Sequence, residues 1–120
     1  MVEQVVRLTV DLTVKEGQLE PFMSIAETMT AGSRAEHGTL GYEWFSSSDK
    51  KRFRLVETYA NADAVLAHFT GPVVTQLVPK LAAVCSVDGL EVYGDPGKQV
   101  TDLAAGFGAE IFHYRMGINR

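Results

Sequence analysis

Cysteine and positive charge are both scarce in this sequence. Cys85 is the single cysteine among 120 residues, which excludes a disulfide framework and any metal cage made of cysteines alone. Eleven basic residues against fifteen acidic ones give a net charge of −4, and the short basic run at residues 50–52 lies beside a predicted turn. A nucleic-acid partner is therefore not expected, because phosphate binding needs a basic surface.

Motifs for metals and nucleotides are missing as well. His37, His68 and His113 are far apart and lack the i, i+4 spacing of a zinc-binding helix. The sequence has no phosphate-binding glycine loop and no serine at the centre of a nucleophile elbow. Nothing in the sequence therefore indicates a metal site, a nucleotide or a covalent nucleophile.

Long apolar runs are absent too. No stretch approaches the roughly 18 apolar residues that cross a membrane, and residues 1–4 lack the basic start and apolar run of a signal peptide. The hydrophobic fraction of 46% and charged fraction of 22% are those of an ordinary globular protein of one domain. We therefore expect a soluble, cytoplasmic protein that makes no membrane contact.

The periodicity of apolar residues predicts both strands and helices. Alternation at period two predicts strands at residues 5–13, 40–45, 53–59 and 87–93. Intervals of three and four predict the buried face of a first helix, formed by Leu19, Phe22, Ala26, Met29 and Ser33. This helix is expected to end near residues 36–37, with Gly38 in the left-handed closing conformation.

Further helices are predicted after the third strand. Asn61 is a good helix cap, and residues 62–69 form a short helix behind it. A further helical pattern follows Pro72, and Pro79 should kink it or divide it in two. The order strand, helix, strand, strand, helices, strand is that of a ferredoxin-like split βαβ fold. The fold class is therefore α+β, with a four-stranded antiparallel sheet and helices on one face.

The second face of that sheet points to a partner chain. Large apolar residues occupy both registers of the predicted strands. One face is assigned Val6, Leu8, Val10, Leu12, Tyr42 and Trp44, and the opposite face is assigned Phe45, Val56, Leu90 and Val92. An apolar sheet face left in water predicts a homodimer. We expect residues 1–95 to form the domain and residues 96–120 an extension that docks on the same domain or on the partner.

Two side chains stand out as candidates for proton chemistry. Glu57 shares its strand register with Phe53, Leu55 and Tyr59, so its carboxylate is partly buried with a raised pKa or is satisfied by backbone amides or an arginine. His68 lies beside the helix face that meets the sheet, as an acid–base group or as a core histidine with a single hydrogen bond. Aromatic side chains could line a cavity or simply pack together: Phe22, Tyr42, Trp44, Phe53, Tyr59 and Phe69.

Three segments carry a resemblance to a known family. Residues 36–43 (EHGTLGYE), 53–59 (FRLVETY) and 62–68 (ADAVLAH) resemble the antibiotic biosynthesis monooxygenase family. The family pattern is an acid and a glycine before Gly-Tyr, a strand ending in Val-Glu-x-aromatic, and a short helix ending in Ala-His. The likeness spans residues 4–94, and many members have tryptophan where Tyr59 stands. It implies a ferredoxin-like chain that pairs into a dimeric α+β barrel.

The resemblance also implies a chemistry. Characterised members include cofactor-independent oxygenases in which a base deprotonates a quinol or anthrone and the resulting anion reduces O₂. By this resemblance the chain is a monooxygenase of a small aromatic quinol or a polyketide-like substrate, without metal or flavin. The motif positions Glu57, Tyr59 and His68 are the predicted catalytic residues. The predicted substrate-binding residues, inferred from the aromatic pattern and the helix cap, are Asn61, Trp44, Tyr42, Phe22, Phe53 and Phe69.

Two other functions stay open at this stage. One is an isomerase or lyase that applies the same base and pocket to a small carbonyl compound. The other is a dimer that binds a ligand without catalysis, because the fold alone does not determine activity.

Overall fold

A computed structural model of the chain describes residues 4–120; residues 1–3, part of the segment considered above for a signal peptide, lie outside the described residues. The elements in chain order are β1 (Val6–Val14), α1 (Leu19–Arg34), β2 (Thr39–Ser46), β3 (Arg52–Tyr59), α2 (Ala62–Thr70), a π-helical turn (Val73–Leu77), α3 (Val78–Val84), β4 (Cys85–Tyr93), α4 (Lys98–Ala105) and β5 (Glu110–Phe112). Within this described part, no helix has the length and apolar character needed to cross a membrane.

The sheet confirms the α+β ferredoxin-like fold but has one strand more than predicted. Five strands lie in the order β2-β3-β1-β4-β5, and β5 runs parallel to β4 while the other neighbours are antiparallel. The additional strand arises because the C-terminal segment pairs with the outer edge of β4. That pairing satisfies backbone groups that an edge strand would leave open.

The helices cover one face of the sheet, and the core lies between them. The β1 residues Val6, Leu8 and Leu12 point into this layer and are almost fully buried. In α1, the predicted residues Phe22, Ala26, Met29 and Ser33 are buried, while Leu19 is only partly so. From the C-terminal extension, Val100 and Ala104 of α4 join the same core.

The opposite face of the sheet is less apolar than expected. Leu90 and Val92 pair with Val10 and Leu8, so they point toward the helices and not to the uncovered face. That assignment was wrong because the alternation within one strand does not reveal how it is aligned with its neighbour, and the pairing of β4 with β1 puts these residues on the same face as Val10 and Leu8. Phe45 and Val56 do lie on the outer face, near an ion pair between Arg54 and Asp11 (Nε–Oδ1, 2.9 Å).

The end of α1 also differs from the prediction. The α-helix ends at Arg34. Beyond it, the backbone N–H groups of Ala35 and Glu36 donate to carbonyls three residues earlier, those of Gly32 and Ser33, and not to carbonyls four residues earlier as in an α-helix. The backbone of Gly38 does not adopt the left-handed conformation, so a glycine is needed at this position for a different reason. A Cβ at position 38 would lie 2.4 Å from the Cβ of Ala64, so the missing side chain lets α2 approach the start of β2.

The predicted division at Pro79 is confirmed by the change from the π-helical turn to α3.

Candidate active site

An apolar cavity of about 80 Å³ lies between the sheet and the helices. Its walls come from β1, β2, β3 and β4 on one side and from α1, α2, the π-helical turn and α3 on the other. Of the described residues that line it, Tyr42, Glu57 and His68 carry the polar side chains. Groups able to exchange protons are therefore concentrated in an otherwise hydrophobic space.

Glu57 reaches this cavity from the middle of the sheet. It pairs with Leu8 of β1 and Tyr42 of β2, and its side chain points toward the helices. Tyr59, two residues further along β3 and therefore on the same face, donates a hydrogen bond from its hydroxyl to Oε1 of Glu57. The alternative prediction was a carboxylate satisfied by backbone amides or by an arginine. Among the described residues, no arginine or backbone amide hydrogen-bonds the Glu57 carboxyl.

Burial determines the protonation preferences of this pair. It raises the pKa of Glu57 above the ordinary glutamate value, while the nearby His68 and the hydrogen bond from Tyr59 oppose the rise and the charge of Glu36 adds to it. Burial also raises the pKa of Tyr59, and the neighbouring Glu57 adds to the effect. Tyr59 is therefore a neutral phenol that acts as a donor, and Glu57 keeps its proton to a higher pH than an exposed glutamate does.

His68 lies in the last turn of α2, beside the buried residues Val65 and Phe69. Its Nε2 is 3.6 Å from Oε1 of Glu57, which is close enough for charge interaction but too long for a hydrogen bond. Its Nδ1 is 2.8 Å from Oε1 of Glu36, a hydrogen-bond distance. The imidazole is therefore held between two carboxyl groups, one on each side of the ring.

Tyr42 completes the polar part of the cavity. Its ring centroid is 5.5 Å from that of His68, and burial raises the pKa of Tyr42, with a further contribution from Glu57. The nearby Ser33 hydroxyl opposes part of this rise in pKa, and the phenol is therefore neutral and retains its proton as a hydrogen-bond donor.

Glu36 is a site residue to which the sequence reasoning assigned no role. It lies in the turn between α1 and β2, and its Oε1 also accepts a hydrogen bond from Oγ1 of Thr39 at 2.7 Å. The available signal was the acid of the family pattern, two residues before Gly38. Sequence spacing could not pair it with His68, which lies 32 residues further along the chain.

The predicted aromatic walls divide into two groups. Tyr42 and Phe69 line the cavity. Phe22, Trp44 and Phe53 pack against one another instead, with ring centroids 4.6 Å apart for Phe22–Phe53 and 5.9 Å for Phe22–Trp44. The structure therefore places these three rings outside the cavity that holds His68.

Asn61 and Phe107 differ in their relation to the cavity. The side-chain oxygen of Asn61 accepts a hydrogen bond from the backbone N–H of Ala64 at 2.9 Å, so Asn61 caps α2 as predicted and does not line the cavity. Phe107, from the C-terminal extension, does line the cavity although it is 47% exposed, which places it at the mouth. Across residues 4–120, no group of three or more His, Cys, Asp or Glu side chains is placed to hold a metal ion.

The fold and the site together define a ferredoxin-like α+β protein with acid–base side chains in an apolar cavity. The family model described as antibiotic biosynthesis monooxygenase matches residues 5–80, more than half of the chain. This chain therefore belongs to the antibiotic biosynthesis monooxygenase family. No curated protein matches the sequence.

Solved structures share the fold. MupZ from Pseudomonas fluorescens superposes with a TM-score of 0.86 at 18% identity, covering 98% of this chain and 96% of MupZ. A conserved protein of unknown function from Bacteroides thetaiotaomicron, described as a possible oxidoreductase, gives 0.69 at 29% identity over 76% of this chain and 97% of its own. A structure described as an antibiotic biosynthesis monooxygenase gives 0.64 at 19% identity, covering 72% of this chain and 92% of its own. The likeness to MupZ thus extends through α4 and β5.

Proposed function

We propose that this protein is a monooxygenase that acts on a small aromatic quinol, or a polyketide-like phenol, without a metal or flavin. The observation that carries the proposal is the apolar cavity whose polar groups are Tyr42, Glu57 and His68. Such a cavity suits a flat, weakly polar ring, and it presents a base and proton donors to the hydroxyl of that ring. Membership of the antibiotic biosynthesis monooxygenase family supports the reaction class.

His68 is the proposed proton acceptor. An ionised carboxylate can only accept hydrogen bonds, so Glu36 in that form requires the hydrogen on Nδ1 of His68. The lone pair of the neutral imidazole is then on Nε2, which faces Glu57 and the cavity. In the proposed first step, Nε2 removes the proton from the substrate hydroxyl or from the acidic carbon beside it.

The substrate anion then supplies the electrons. It transfers one electron to O₂, and the resulting substrate radical and superoxide combine to form a carbon–oxygen bond. The peroxide accepts the proton held by His68, its O–O bond breaks as the remaining C–H proton is lost, and water leaves. For a ring with a CH₂ group the balance is R₂CH₂ + O₂ → R₂C=O + H₂O, so no external reductant is consumed.

Two neighbouring groups stabilise the charges in this scheme. Tyr42, a neutral phenol in the cavity wall, donates a hydrogen bond to the oxyanion that develops on the substrate. Glu57, whose raised pKa favours its protonated form, donates to the peroxide oxygen. Tyr59 donates its hydrogen bond to Glu57 and does not contact the substrate, since it does not line the cavity.

The size of the cavity favours a small substrate. Its volume of about 80 Å³ is well below the ~300–1,000 Å³ of pockets for drug-sized ligands. A single substituted ring therefore fits this proposal better than a fused polycyclic one, which would need the side chain of Phe107 to move away from the mouth.

A homodimer is part of the proposal. Proteins of this family are commonly dimeric. On the uncovered face of the sheet, Phe45 is 53% exposed and lies beside the ion pair of Arg54 and Asp11, a mixed surface suited to a second copy. Sedimentation of the 13.1 kDa chain should give twice that mass, and Phe45→Arg should return it to a monomer.

Oxygen uptake tests the proposed activity directly. The protein, freed of metals with a chelator, is mixed with a panel of one-ring and fused-ring quinols while O₂ consumption and quinone formation are followed. We expect one O₂ per quinone and no requirement for metal or flavin. Turnover of a small carbonyl compound without O₂ consumption would instead establish the isomerase or lyase alternative. Binding of the ring with no turnover would establish a ligand-binding dimer.

A further inference from the structure

Glu36 contacts the edge of the His68 ring that lies opposite the cavity. The distance between Glu36 Oε1 and His68 Nδ1 is 2.8 Å, and Glu36 is not among the residues that line the cavity. We propose that Glu36 is a positioning residue: it holds His68 in the tautomer that directs a free Nε2 lone pair into the cavity, and it stabilises the imidazolium formed during turnover. This inference rests on the proposed function and adds to it a residue that never touches the substrate.

The turn that carries Glu36 is fixed before any substrate binds. Its backbone N–H donates to the carbonyl of Ser33 at 3.0 Å, and its own carbonyl accepts from the N–H of Thr39 at 3.2 Å. The hydroxyl of Thr39 also donates to the same carboxylate oxygen that faces His68. Backbone and side chain of Glu36 are therefore held in place at the junction of α1 and β2, so the orientation of the imidazole needs no rearrangement on binding.

The second effect is electrostatic. When Nε2 takes a proton, the imidazole becomes a cation inside a site where His68 is 3% exposed, and a buried charge is costly without a partner. Glu36 supplies that partner at hydrogen-bond distance, while its own side chain is 20% exposed and so keeps contact with water. Its charge also disfavours a second negative charge on Glu57, in accord with the raised pKa of that residue. One carboxylate thus favours a neutral Glu57 and lies at hydrogen-bond distance from the His68 ring.

Two substitutions separate orientation from charge. Glu36→Gln keeps an oxygen that can accept from Nδ1 but removes the charge, whereas Glu36→Ala removes both. Glu20→Gln is the matched control, because Glu20 is exposed in the first turn of α1 and does not line the cavity. The readouts are kcat and KM for a quinol that the wild type oxidises, and the ¹⁵N signals of the His68 ring nitrogens, with Tm recorded for each variant.

The expected result is a graded loss of kcat with little change in KM. Glu36→Gln should lose about tenfold in kcat and keep the Nδ1–H tautomer; Glu36→Ala should lose at least 100-fold and give a mixture of tautomers. KM should stay within about twofold in both, because Glu36 does not contact the substrate, and Glu20→Gln should match the wild type. Wild-type kcat in Glu36→Ala, or unchanged ¹⁵N signals of His68 in that variant, would overturn the proposal. If the wild type oxidises no quinol, the monooxygenase proposal fails, while the ¹⁵N measurement still decides the role of Glu36.

Discussion

Glu57 and Tyr59 are joined by a hydrogen bond inside the protein, between two side chains on the same face of β3. Both side chains are buried, and the pKa of each is raised, chiefly by that burial. The carboxyl group is therefore satisfied by a neutral phenol and lies near an imidazole, and within residues 4–120 no arginine or lysine pairs with it. A glutamate in this environment favours its protonated form, and that preference affects both stability and chemistry.

The stability of the protein should depend on pH through Glu57. Because its pKa is higher in the folded than in the unfolded chain, folding takes up a proton and the contribution is fully present below the ordinary glutamate pKa. As pH rises from that value through the raised folded pKa, the free energy of unfolding should fall, by at most about 1.4 kcal/mol per pH unit. Urea unfolding at a series of pH values should show this slope in the wild type and a flatter one in Glu57→Gln. Equal slopes in the two proteins would contradict the shifted pKa.

Removal of either central group should slow turnover without unfolding the protein. We expect His68→Ala or Glu57→Gln to lower kcat/KM for a quinol at least tenfold, about 1.4 kcal/mol of activation free energy. The reason is that each removes a proton-transfer group from the cavity while the surrounding apolar walls remain. Steady-state oxygen uptake measures the effect, and circular dichroism checks the fold. Unchanged kinetics in both variants would show that the catalytic roles assigned to these residues are wrong.

Phe107 should control which substrates enter. Its ring lies at the mouth of the cavity in the turn after α4, so Phe107→Ala should widen the entrance. The ratio of kcat/KM for a fused-ring quinol to that for a one-ring quinol should rise at least fivefold, a shift of roughly 1 kcal/mol. Leu103→Ala is the control, because Leu103 is similarly exposed on α4 but does not line the cavity. The same ratio in both variants would argue against a gating position for Phe107.

Gly38 should be intolerant of any side chain. A Cβ there would lie 2.4 Å from the Cβ and 3.3 Å from the Cα of Ala64, so α2 would have to move away from β2. We expect Gly38→Ala to lower the free energy of unfolding by about 1–3 kcal/mol, the usual cost of overpacking. Because α2 carries His68, the variant should also weaken its hydrogen bond to Glu36.

A double-mutant cycle with Ala64→Gly checks the origin of that cost. If the contact between the two Cβ atoms is responsible, the double variant should be more stable than the sum of the single effects predicts. Strict additivity would place the effect of Gly38→Ala elsewhere, for example in the backbone of the turn.

Much of the architecture follows from local pattern. The alternation along β1 and β3 identified the residues of each strand that share a face, and it grouped Glu57 with the apolar residues Phe53, Leu55 and Tyr59, whose burial it shares. The spacing of three and four identified the buried residues of α1 in the same way. These features depend on residues only a few positions apart, and the spacing of such residues is visible in the sequence itself.

Only the tertiary structure decided how the elements meet. The β1–β4 register turned Leu90 and Val92 toward the helices, and pairing with β4 converted the C-terminal segment into a fifth strand. The packing of α2 on the turn after α1 brought Glu36 to His68, and Phe22, Trp44 and Phe53 formed a cluster of their own. Contacts of this kind join residues far apart in sequence, and their energies depend on how the elements pack together. For that reason local periodicity predicted Glu57 and His68 as individual candidates, whereas the cavity that they share with Tyr42 is a property of the folded chain.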